Sequence, residues 1–252
     1  MHAKKIKCTV TALSWLSEYV FQLDFKADKK LKFEAGQFIS VLARNEIKRA
    51  YSFACSPEIA ANTGNYSLCV RLVPGGAGSE FLSKLKVGDS FRAMAPYGNF
   101  VLHPLARDRG ICFICTSTGI APFRGMAQSD ELANGMKRKK RIIFGARAEN
   151  EILYPGEFEK LGFERKNVLS QEQTEEHFYG RIPNYLASLP NDFAWHDYDY
   201  YLCGNPDMIV ETLRYLNKSK GVSQTQIHIE YFAAPSKKEA PIAIPAAKPK
   251  AA

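Results

Sequence analysis

The sequence predicts two folded regions in series, an antiparallel β-barrel followed by a doubly wound α/β domain with a parallel sheet. The first hundred of its 252 residues consist of short β-branched or aromatic segments separated by turn residues, which is typical of a small closed barrel. From about Arg109, strand-like apolar runs alternate with helical patterns, as in parallel doubly wound sheets. Residues 233–252 are rich in Ala, Pro and Lys and are predicted to form a flexible tail. We therefore expect a barrel domain over 1–105, an α/β domain over 106–232, and this tail.

The barrel region divides into six predicted strands, with one helical turn at about Ser79–Lys86. The strands are expected at 8–16, 20–25, 37–43, 49–56, 66–73 and 90–98. Six short strands in succession favour a closed barrel, because closure leaves no sheet edge exposed.

The second region repeats strand and helix. Strands are expected at 111–116, 141–146, 167–171, 198–204 and 227–232, and helices at 121–135, 155–162, about 184–189 and 206–221. Ligands of such sheets bind beyond the carboxyl ends of the strands. Functional residues should therefore follow Cys115, Ala146, Leu169 and Leu202.

Composition excludes several classes of protein. No apolar stretch is long enough to span a membrane, and the N-terminus lacks the apolar core of a secretory signal. Six cysteines lie in apolar segments, as expected of reduced thiols in a cytoplasmic protein. Cys112 and Cys115 form a CxxC within a buried strand, where they should point to opposite faces, so we expect no metal site. The formal net charge is +8, of which the tail contributes +3.

Arg49, Tyr51 and Ser52 lie on one predicted barrel strand. Arginine has a planar fork that fits phosphate oxygens, tyrosine offers a flat stacking surface, and serine offers a hydroxyl donor. Arg49 and Tyr51 should share one face of the strand, whereas Ser52 should point to the other unless the strand bends. On its own this pattern is also that of a surface arginine beside core aromatics.

About 25 residues later, a Gly-rich turn precedes a helix at Pro74–Ser79. Glycines allow a close backbone approach, and a helix N-terminus presents unpaired amides to phosphate. Ser79 can cap this helix or donate to a phosphate, and these two roles compete. A third segment, Thr116–Phe123, follows the first strand of the α/β region, where a dinucleotide is expected, although the usual GxGxxG fingerprint is absent.

Together these segments make the chain resemble the ferredoxin–NADP reductase family over roughly residues 8–232. RAYS resembles the family's RxYS, GGAGS its GGxxS, CTSTGIAPF its ATGTGIAPF, and the CGNP that begins at Cys203 its CGxP, all in the family's order. The ending at Ile229–Phe232 also resembles the family's V-E-x-aromatic ending. The resemblance implies a flavoprotein that transfers hydride between a nicotinamide and FAD and exchanges single electrons with a carrier.

The resemblance also implies the FAD contacts. Arg49 and Ser79 would hold the FAD phosphates together with the Gly76 and Gly78 amides, Tyr51 would stack on the flavin, and Ser52 would hydrogen-bond near its N5. The remaining implied neighbours of FAD are Val70, Arg71, Thr118 and Phe232, the last covering the flavin face that the nicotinamide must reach.

Residues implied to contact the nicotinamide dinucleotide follow the strands of the α/β region. Cys203 would lie beside the nicotinamide, with Glu230 near it and near Ser52, so that Ser52, Cys203 and Glu230 are the predicted catalytic residues. The other implied contacts are Thr116, Gly119, Arg147, Ser170, Arg181, Gly204 and Asn205. Arg147, Ser170 and Arg181 resemble a 2′-phosphate pocket, but Gln171 stands where relatives often have arginine, so the prediction favours NADPH and keeps NADH open.

Two features depart from the family pattern. Ser117 replaces the glycine between the two threonines, which predicts a less permissive loop. The chain also continues for 20 residues beyond Phe232, which is terminal or nearly so in many relatives.

No four-cysteine cluster is present, so electrons must leave to a separate carrier. The basic body predicts an acidic ferredoxin or flavodoxin as partner of a monomeric enzyme. An NADH-dependent flavin reductase and the reductase component of an oxygenase remain alternatives. A nucleic-acid-binding module is the remote alternative, since no stripe of basic and aromatic residues accompanies the barrel.

Overall fold

The chain forms two six-stranded sheets in a computed structural model that describes residues 3–43, 47–103, 109–133 and 139–232. The strands of the first sheet are β1 (Lys4–Ser17), β2 (Val20–Ala27), β3 (Phe38–Leu42), β4 (Lys48–Ser52), β5 (Tyr66–Arg71) and β6 (Ser90–Tyr97). They pair antiparallel in the order β4-β3-β6-β1-β2-β5. A bridge between Phe53 and Leu68 joins the two ends of this order, and the predicted barrel is confirmed.

The second sheet is parallel throughout. Its strands are β7 (Gly110–Thr116), β8 (Lys140–Ala146), β9 (Glu164–Leu169), β10 (Phe178–Tyr179), β11 (Tyr198–Gly204) and β12 (Ile227–Tyr231). They follow the order β10-β9-β8-β7-β11-β12, so the chain moves outward from β7 in one direction and then in the other. The direction of winding reverses between the neighbouring strands β7 and β11, and this creates the crevice in which such folds bind ligands. The predicted doubly wound sheet is confirmed.

Seven α-helices connect the described strands. They are α1 (Pro57–Thr63), α2 (Ala77–Ser83), α3 (Ile120–Ala127), α4 (Asp130–Ala133), α5 (Glu157–Lys160), α6 (Ile182–Ser188) and α7 (Pro206–Arg214). A π-helical stretch continues α7 to Ser219. None of these helices combines the length and apolar character needed to cross a membrane.

The structure differs from the predicted elements in a few places. The strand expected to reach Ser56 ends at Ser52, and Ser56 instead caps α1, accepting a hydrogen bond from the Ile59 amide at 3.2 Å. The single helix expected over 121–135 is divided at Ser129, and its last two residues lie outside the described residues. The two-residue β10 was not predicted. The tail at 233–252 also lies outside the described residues.

Apolar packing joins the two regions. One core cluster fills the barrel, and two others cover opposite faces of the parallel sheet. Cys115 belongs to one of these faces and Cys112 to the other, so the two thiols diverge as the strand period predicts. The cluster around Cys115 also includes Val20, Ala54 and Cys69 of the barrel region, so the two regions share a core. We call the boundary between the two regions the seam, and the candidate site lies there.

Candidate active site

Three side chains from both sheets meet at the seam, and we call them the redox corner: Ser52, Cys203 and Glu230. The Ser52 hydroxyl lies 3.4 Å from a carboxylate oxygen of Glu230, although 178 residues separate them. Glu230 pairs in register with Cys203 on the neighbouring strand β11. The sequence-predicted catalytic residues are therefore brought together.

Burial controls the acid–base state of this corner. Desolvation raises the pKa of Glu230 to about 7, although the hydrogen bond with Ser52 opposes the shift. Desolvation, with the negative charge of Glu230, raises the pKa of the fully buried Cys203 thiol well above its usual range. The corner thus contains a carboxyl group that titrates near neutral pH and a thiol that stays protonated.

The RAYS residues lie against the helix that follows the Gly-rich turn. A Cβ atom added to Gly78 would lie 2.5 Å from the Tyr51 hydroxyl and 2.7 Å from Cγ of Arg49. Arg49 is exposed, whereas burial raises the pKa of Tyr51 to about 12. Glycine at position 78 therefore allows Arg49 and Tyr51 to pack against the first turn of α2. Arg49 is an arginine that could bind a phosphate at this place.

Within the turn itself, several polar groups already have partners. The Ser79 hydroxyl accepts from the Val73 amide at 3.0 Å, and the Gly76 amide donates to the Val73 carbonyl at 2.8 Å. Gly78 and Ser79 lie in the first turn of α2, where backbone amides have no carbonyl partner within the helix. Of the two competing roles expected for Ser79, the structure shows a hydrogen bond within the turn, which stabilises the start of α2.

A cleft of about 570 Å³ opens beside the redox corner, and we call it the nucleotide cleft. It lies at the carboxyl ends of the parallel strands, as expected for this sheet. Ten sequence-predicted residues line it. Seven were expected at the nicotinamide dinucleotide: Thr116, Gly119, Arg147, Ser170, Arg181, Gly204 and Asn205. The other three, Arg71, Thr118 and Phe232, were expected at FAD. Phe232 is 46% exposed at its edge. Val70, by contrast, is 1% exposed and packs in the barrel core rather than in the cleft.

Two strand-end loops form the floor of the nucleotide cleft. The Asn205 amide donates to the Thr116 hydroxyl at 2.8 Å, which ties the loop after β11 to the loop after β7. Gly204 has φ +130°, and an added Cβ would lie 2.4 Å from the Thr116 hydroxyl oxygen. A Cβ on Gly119 would lie 2.4 Å from the Cys203 carbonyl oxygen. Both glycines are therefore required by close backbone packing.

The far end of the nucleotide cleft is charged. Arg147 follows β8 and donates from Nε to Glu151 at 2.8 Å. Burial opposes ionisation of Glu151, but hydrogen bonds and charge from Arg147, with a contribution from Arg71, lower its pKa. Ser170 donates to the Ala146 carbonyl at 3.3 Å, and Arg181 precedes α6 with its side chain exposed. Arginine recognition of an anion here would compete with Glu151.

Sequence reasoning missed several residues of the site. Tyr19 and Glu151 line the nucleotide cleft, and Tyr19 is 38% exposed. Glu151 had a local signal, because it lies four residues after Arg147 on a turn that follows a strand. Tyr19 had none, since it lies in the β1–β2 turn of the barrel and approaches the cleft only through the tertiary fold.

Arg124 also went unrecognised, and it connects the two regions. From α3 it donates to the Ala54 carbonyl of the barrel at 2.5 Å and to Glu157 at 2.8 Å. Its guanidinium stacks 4.6 Å from the ring centroid of Tyr154. This network links the barrel, through the Ala54 carbonyl, to the α/β region.

One surface group of potential metal ligands occurs among the described residues. Ligand atoms of Glu149, Glu176 and His177 lie within 4.8 Å of one another. His177 and Glu149 form an ion-pair contact at 3.6 Å if the imidazole is protonated, which accounts for the grouping without an ion.

Comparison with known proteins gives both halves a counterpart. A family model described as an oxidoreductase FAD-binding domain matches residues 7–102, and one described as an oxidoreductase NAD-binding domain matches residues 113–213. The chain is 33% identical over 251 residues to ferredoxin–NADP reductase B of Sorangium cellulosum, covering 92% of this chain and 99% of that protein. It is 30% identical over 204 residues to the xylene/toluene monooxygenase electron transfer component XylA of Pseudomonas putida, covering 77% of this chain and only 56% of that longer protein.

Solved structures share the fold. The cytochrome P450 reductase GcoB of Amycolatopsis superposes with a TM-score of 0.82 at 25% identity, covering 93% of this chain and 71% of that one. A ferredoxin NADP+ reductase of Neisseria gonorrhoeae, solved with FAD and NADP, superposes with a TM-score of 0.80 at 20% identity, covering 92% of this chain and 100% of that one.

Proposed function

The chain belongs to the ferredoxin–NADP reductase family of FAD-dependent oxidoreductases, and on this premise we propose that it transfers electrons between NADPH and a ferredoxin or flavodoxin. The meeting of Ser52 and Glu230 at 3.4 Å beside the nucleotide cleft is the observation that carries the proposal. It supplies a polar, mostly buried pair at the edge of a dinucleotide-sized opening.

We assign FAD to the barrel region, residues 1–105, and the nicotinamide dinucleotide to residues 106–232, an assignment that the two family-model matches support. Arg49 and the first-turn amides of α2 would hold the FAD phosphates, and Tyr51 would stack on the flavin. Bound FAD supplies two-electron chemistry with the nicotinamide and one-electron chemistry with the carrier.

At the redox corner, the residues would control protons and access. Protonated Glu230 can donate a hydrogen bond to the Ser52 hydroxyl, whereas ionised Glu230 accepts one from it. The direction of this hydrogen bond therefore follows the pH. Phe232 lines the nucleotide cleft, and in the proposed complex it would cover the flavin face that a nicotinamide ring must reach. Exclusion of water by these groups would keep the electron transfer coupled to the carrier.

We further propose that NADPH is preferred to NADH. Arg147, Ser170 and Arg181 line one end of the nucleotide cleft, and arginine forks suit a 2′-phosphate. Because Arg147 is already paired with Glu151, the preference should be moderate. The ratio of kcat/KM for the two nucleotides measures it, and a ratio below one overturns it.

Charge distribution supports an acidic carrier. Residues 1–105 contain 14 Lys and Arg against 8 Asp and Glu, whereas residues 106–232 contain 16 against 17. The positive charge is therefore concentrated on the proposed flavin side, which would speed encounter with an acidic ferredoxin or flavodoxin. We also propose that the protein is a monomer and that it works in a reducing compartment such as the cytoplasm. The second proposal rests on the six cysteines, all of which are free and buried.

The test is reduction of purified carriers by the FAD-loaded protein. We expect NADPH-dependent reduction of a ferredoxin or flavodoxin, with a rate that falls as ionic strength rises. Equal rates at low and high salt would remove the argument for an acidic partner. Tight retention of FAD after desalting separates this function from that of a flavin reductase, which releases its flavin as product.

A second candidate is the reductase component of an oxygenase system. It is favoured by the likeness to the Pseudomonas putida electron transfer component and to the Amycolatopsis cytochrome P450 reductase. The chain spans about half of the former protein. Faster reduction of an oxygenase-type ferredoxin with NADH than with NADPH would select this function.

A further inference from the structure

We propose that Ser117 is a positioning residue. Its hydroxyl holds Arg71 across the seam, so that the Arg71 guanidinium faces the pyrophosphate of the bound nicotinamide dinucleotide. The proposal rests on the proposed nicotinamide site. Arg71 is the last residue of β5 in the barrel, and Ser117 follows β7 of the parallel sheet. Nη1 of Arg71 donates to the Ser117 hydroxyl oxygen at 3.2 Å, and both residues line the nucleotide cleft.

Ser117 has a backbone conformation that favours glycine, so the presence of its side chain needs an explanation. Its φ is +50°, and among the described residues only Tyr154 is another non-glycine residue with positive φ. A left-handed conformation is unfavourable for a residue with a Cβ atom, whereas glycine adopts it freely. The related motif has glycine at this position, so a serine here keeps a backbone cost that a glycine would remove. Its hydroxyl provides what glycine lacks, an acceptor for Arg71.

A competing partner explains why Arg71 needs to be held. Glu151 also lines the nucleotide cleft, near enough for the charge of Arg71 to contribute to lowering its pKa. An arginine released from Ser117 can turn toward this carboxylate and lose its anion-binding donors. The hydrogen bond to Ser117 uses one of the five N–H donors of the guanidinium, so the others can still bind an anion in the cleft.

The ligand group is defined by its chemistry and place. Ser117 is part of the strand-end loop Thr116–Gly119, which the Asn205–Thr116 hydrogen bond ties to the loop after β11, and Arg71 contacts this loop through Ser117. A pyrophosphate is common to NADH and NADPH, so loss of this contact should weaken both nucleotides equally. A contact with the 2′-phosphate would weaken NADPH alone.

The experiment compares Ser117→Gly and Ser117→Ala in the FAD-loaded protein. Both remove the hydroxyl, but only glycine also relieves the backbone strain. We expect each to raise the Kd of NADP+ and of NAD+ by about two- to tenfold, measured by calorimetry without turnover. Ser117→Gly should keep or raise the Tm. Ser117→Asn, which tolerates positive φ and retains an acceptor, should recover part of the affinity.

A double-mutant cycle with Arg71→Gln completes the test. If Ser117 acts through Arg71, adding Ser117→Gly to Arg71→Gln should change Kd by less than about 1.5-fold. Independent, multiplicative effects, or an unchanged Kd in Ser117→Gly, overturn the proposal. A wild-type protein that binds both nucleotides but is not reduced by them contradicts the proposed function instead, and the binding cycle still tests the role of Ser117.

Discussion

The redox corner and the nucleotide cleft adjoin each other but are built in opposite ways. The corner consists of three side chains from strands of both sheets, with Ser52 4% exposed and Cys203 fully buried. The nucleotide cleft consists mostly of loops after parallel strands, and its charged end includes Arg147, whose side chain is 45% exposed. The difference teaches that proton control needs a desolvated, fixed pair, whereas reversible nucleotide binding needs access to solvent.

The largest expected effect concerns the network that keeps the two regions together. Arg124→Met removes the donor to Ala54 and leaves Glu157 without its arginine, so it should lower the free energy of unfolding by about 3 kcal/mol. Urea denaturation of the FAD-loaded protein measures this. Flavin reduction should slow as well, because the Ser52–Glu230 contact of the redox corner joins the two sheets.

Arg141→Met is the matched control. The Arg141 side chain is 15% exposed, close to the 16% of Arg124, but its partner Glu164 is 65% exposed and both lie within the parallel sheet. Loss of this pair should cost about 1 kcal/mol. Equal costs for the two variants would mean that Arg124 has no special role at the seam.

The next effect separates chemistry from binding. Glu230→Gln keeps the size of the side chain but removes its titration, and should slow flavin reduction by NADPH about 100-fold with little change in nucleotide Kd. Stopped-flow absorbance measures the rate, and the FAD-to-protein ratio controls for cofactor loss. A raised Kd with an unchanged limiting rate would place Glu230 in the nucleotide cleft instead.

Ser52→Ala should have a smaller effect on the same rate. It removes the hydroxyl that lies 3.4 Å from Glu230 but leaves the carboxyl group in place. We expect about a tenfold loss, in line with one net hydrogen bond, with FAD still bound. A rate equal to that of the wild type would exclude Ser52 from the chemistry.

The pH dependence of stability tests the burial of the corner directly. Because the pKa of Glu230 is about 7 in the folded chain against 4.5 ordinarily, the unfolded chain loses this proton first. Its contribution to stability is therefore complete below about pH 4.5 and is lost as the pH rises through about 7. The Tm of the wild type minus that of Glu230→Gln should fall over this range. A difference that stays constant with pH would show a solvated carboxylate.

The two regions also differ in how far the sequence predicts them. Strand–helix alternation predicts where the residues of the nucleotide cleft lie, because carboxyl ends of parallel strands share one edge. The pairing of Ser52 with Glu230 could come only from the family resemblance, since no local rule relates residues 178 positions apart. Tyr19 and Arg124 were missed for the same reason. The helix at Pro57–Thr63 was missed despite a local signal, its Ser56 cap, proline and terminal glycine.

The smallest expected effect lies at the exposed end of the nucleotide cleft. Arg181→Ala removes an exposed positive charge near the proposed 2′-phosphate position, so it should raise the Kd of NADP+ about two- to fivefold. NAD+ serves as the internal control, because it lacks the 2′-phosphate and should bind as before. The effect should shrink at high ionic strength, since solvent and salt screen an exposed charge. An equal loss of affinity for both nucleotides would mean that Arg181 contacts the pyrophosphate that they share. The cleft would then have no separate 2′-phosphate end, and the NADPH preference depends on such an end.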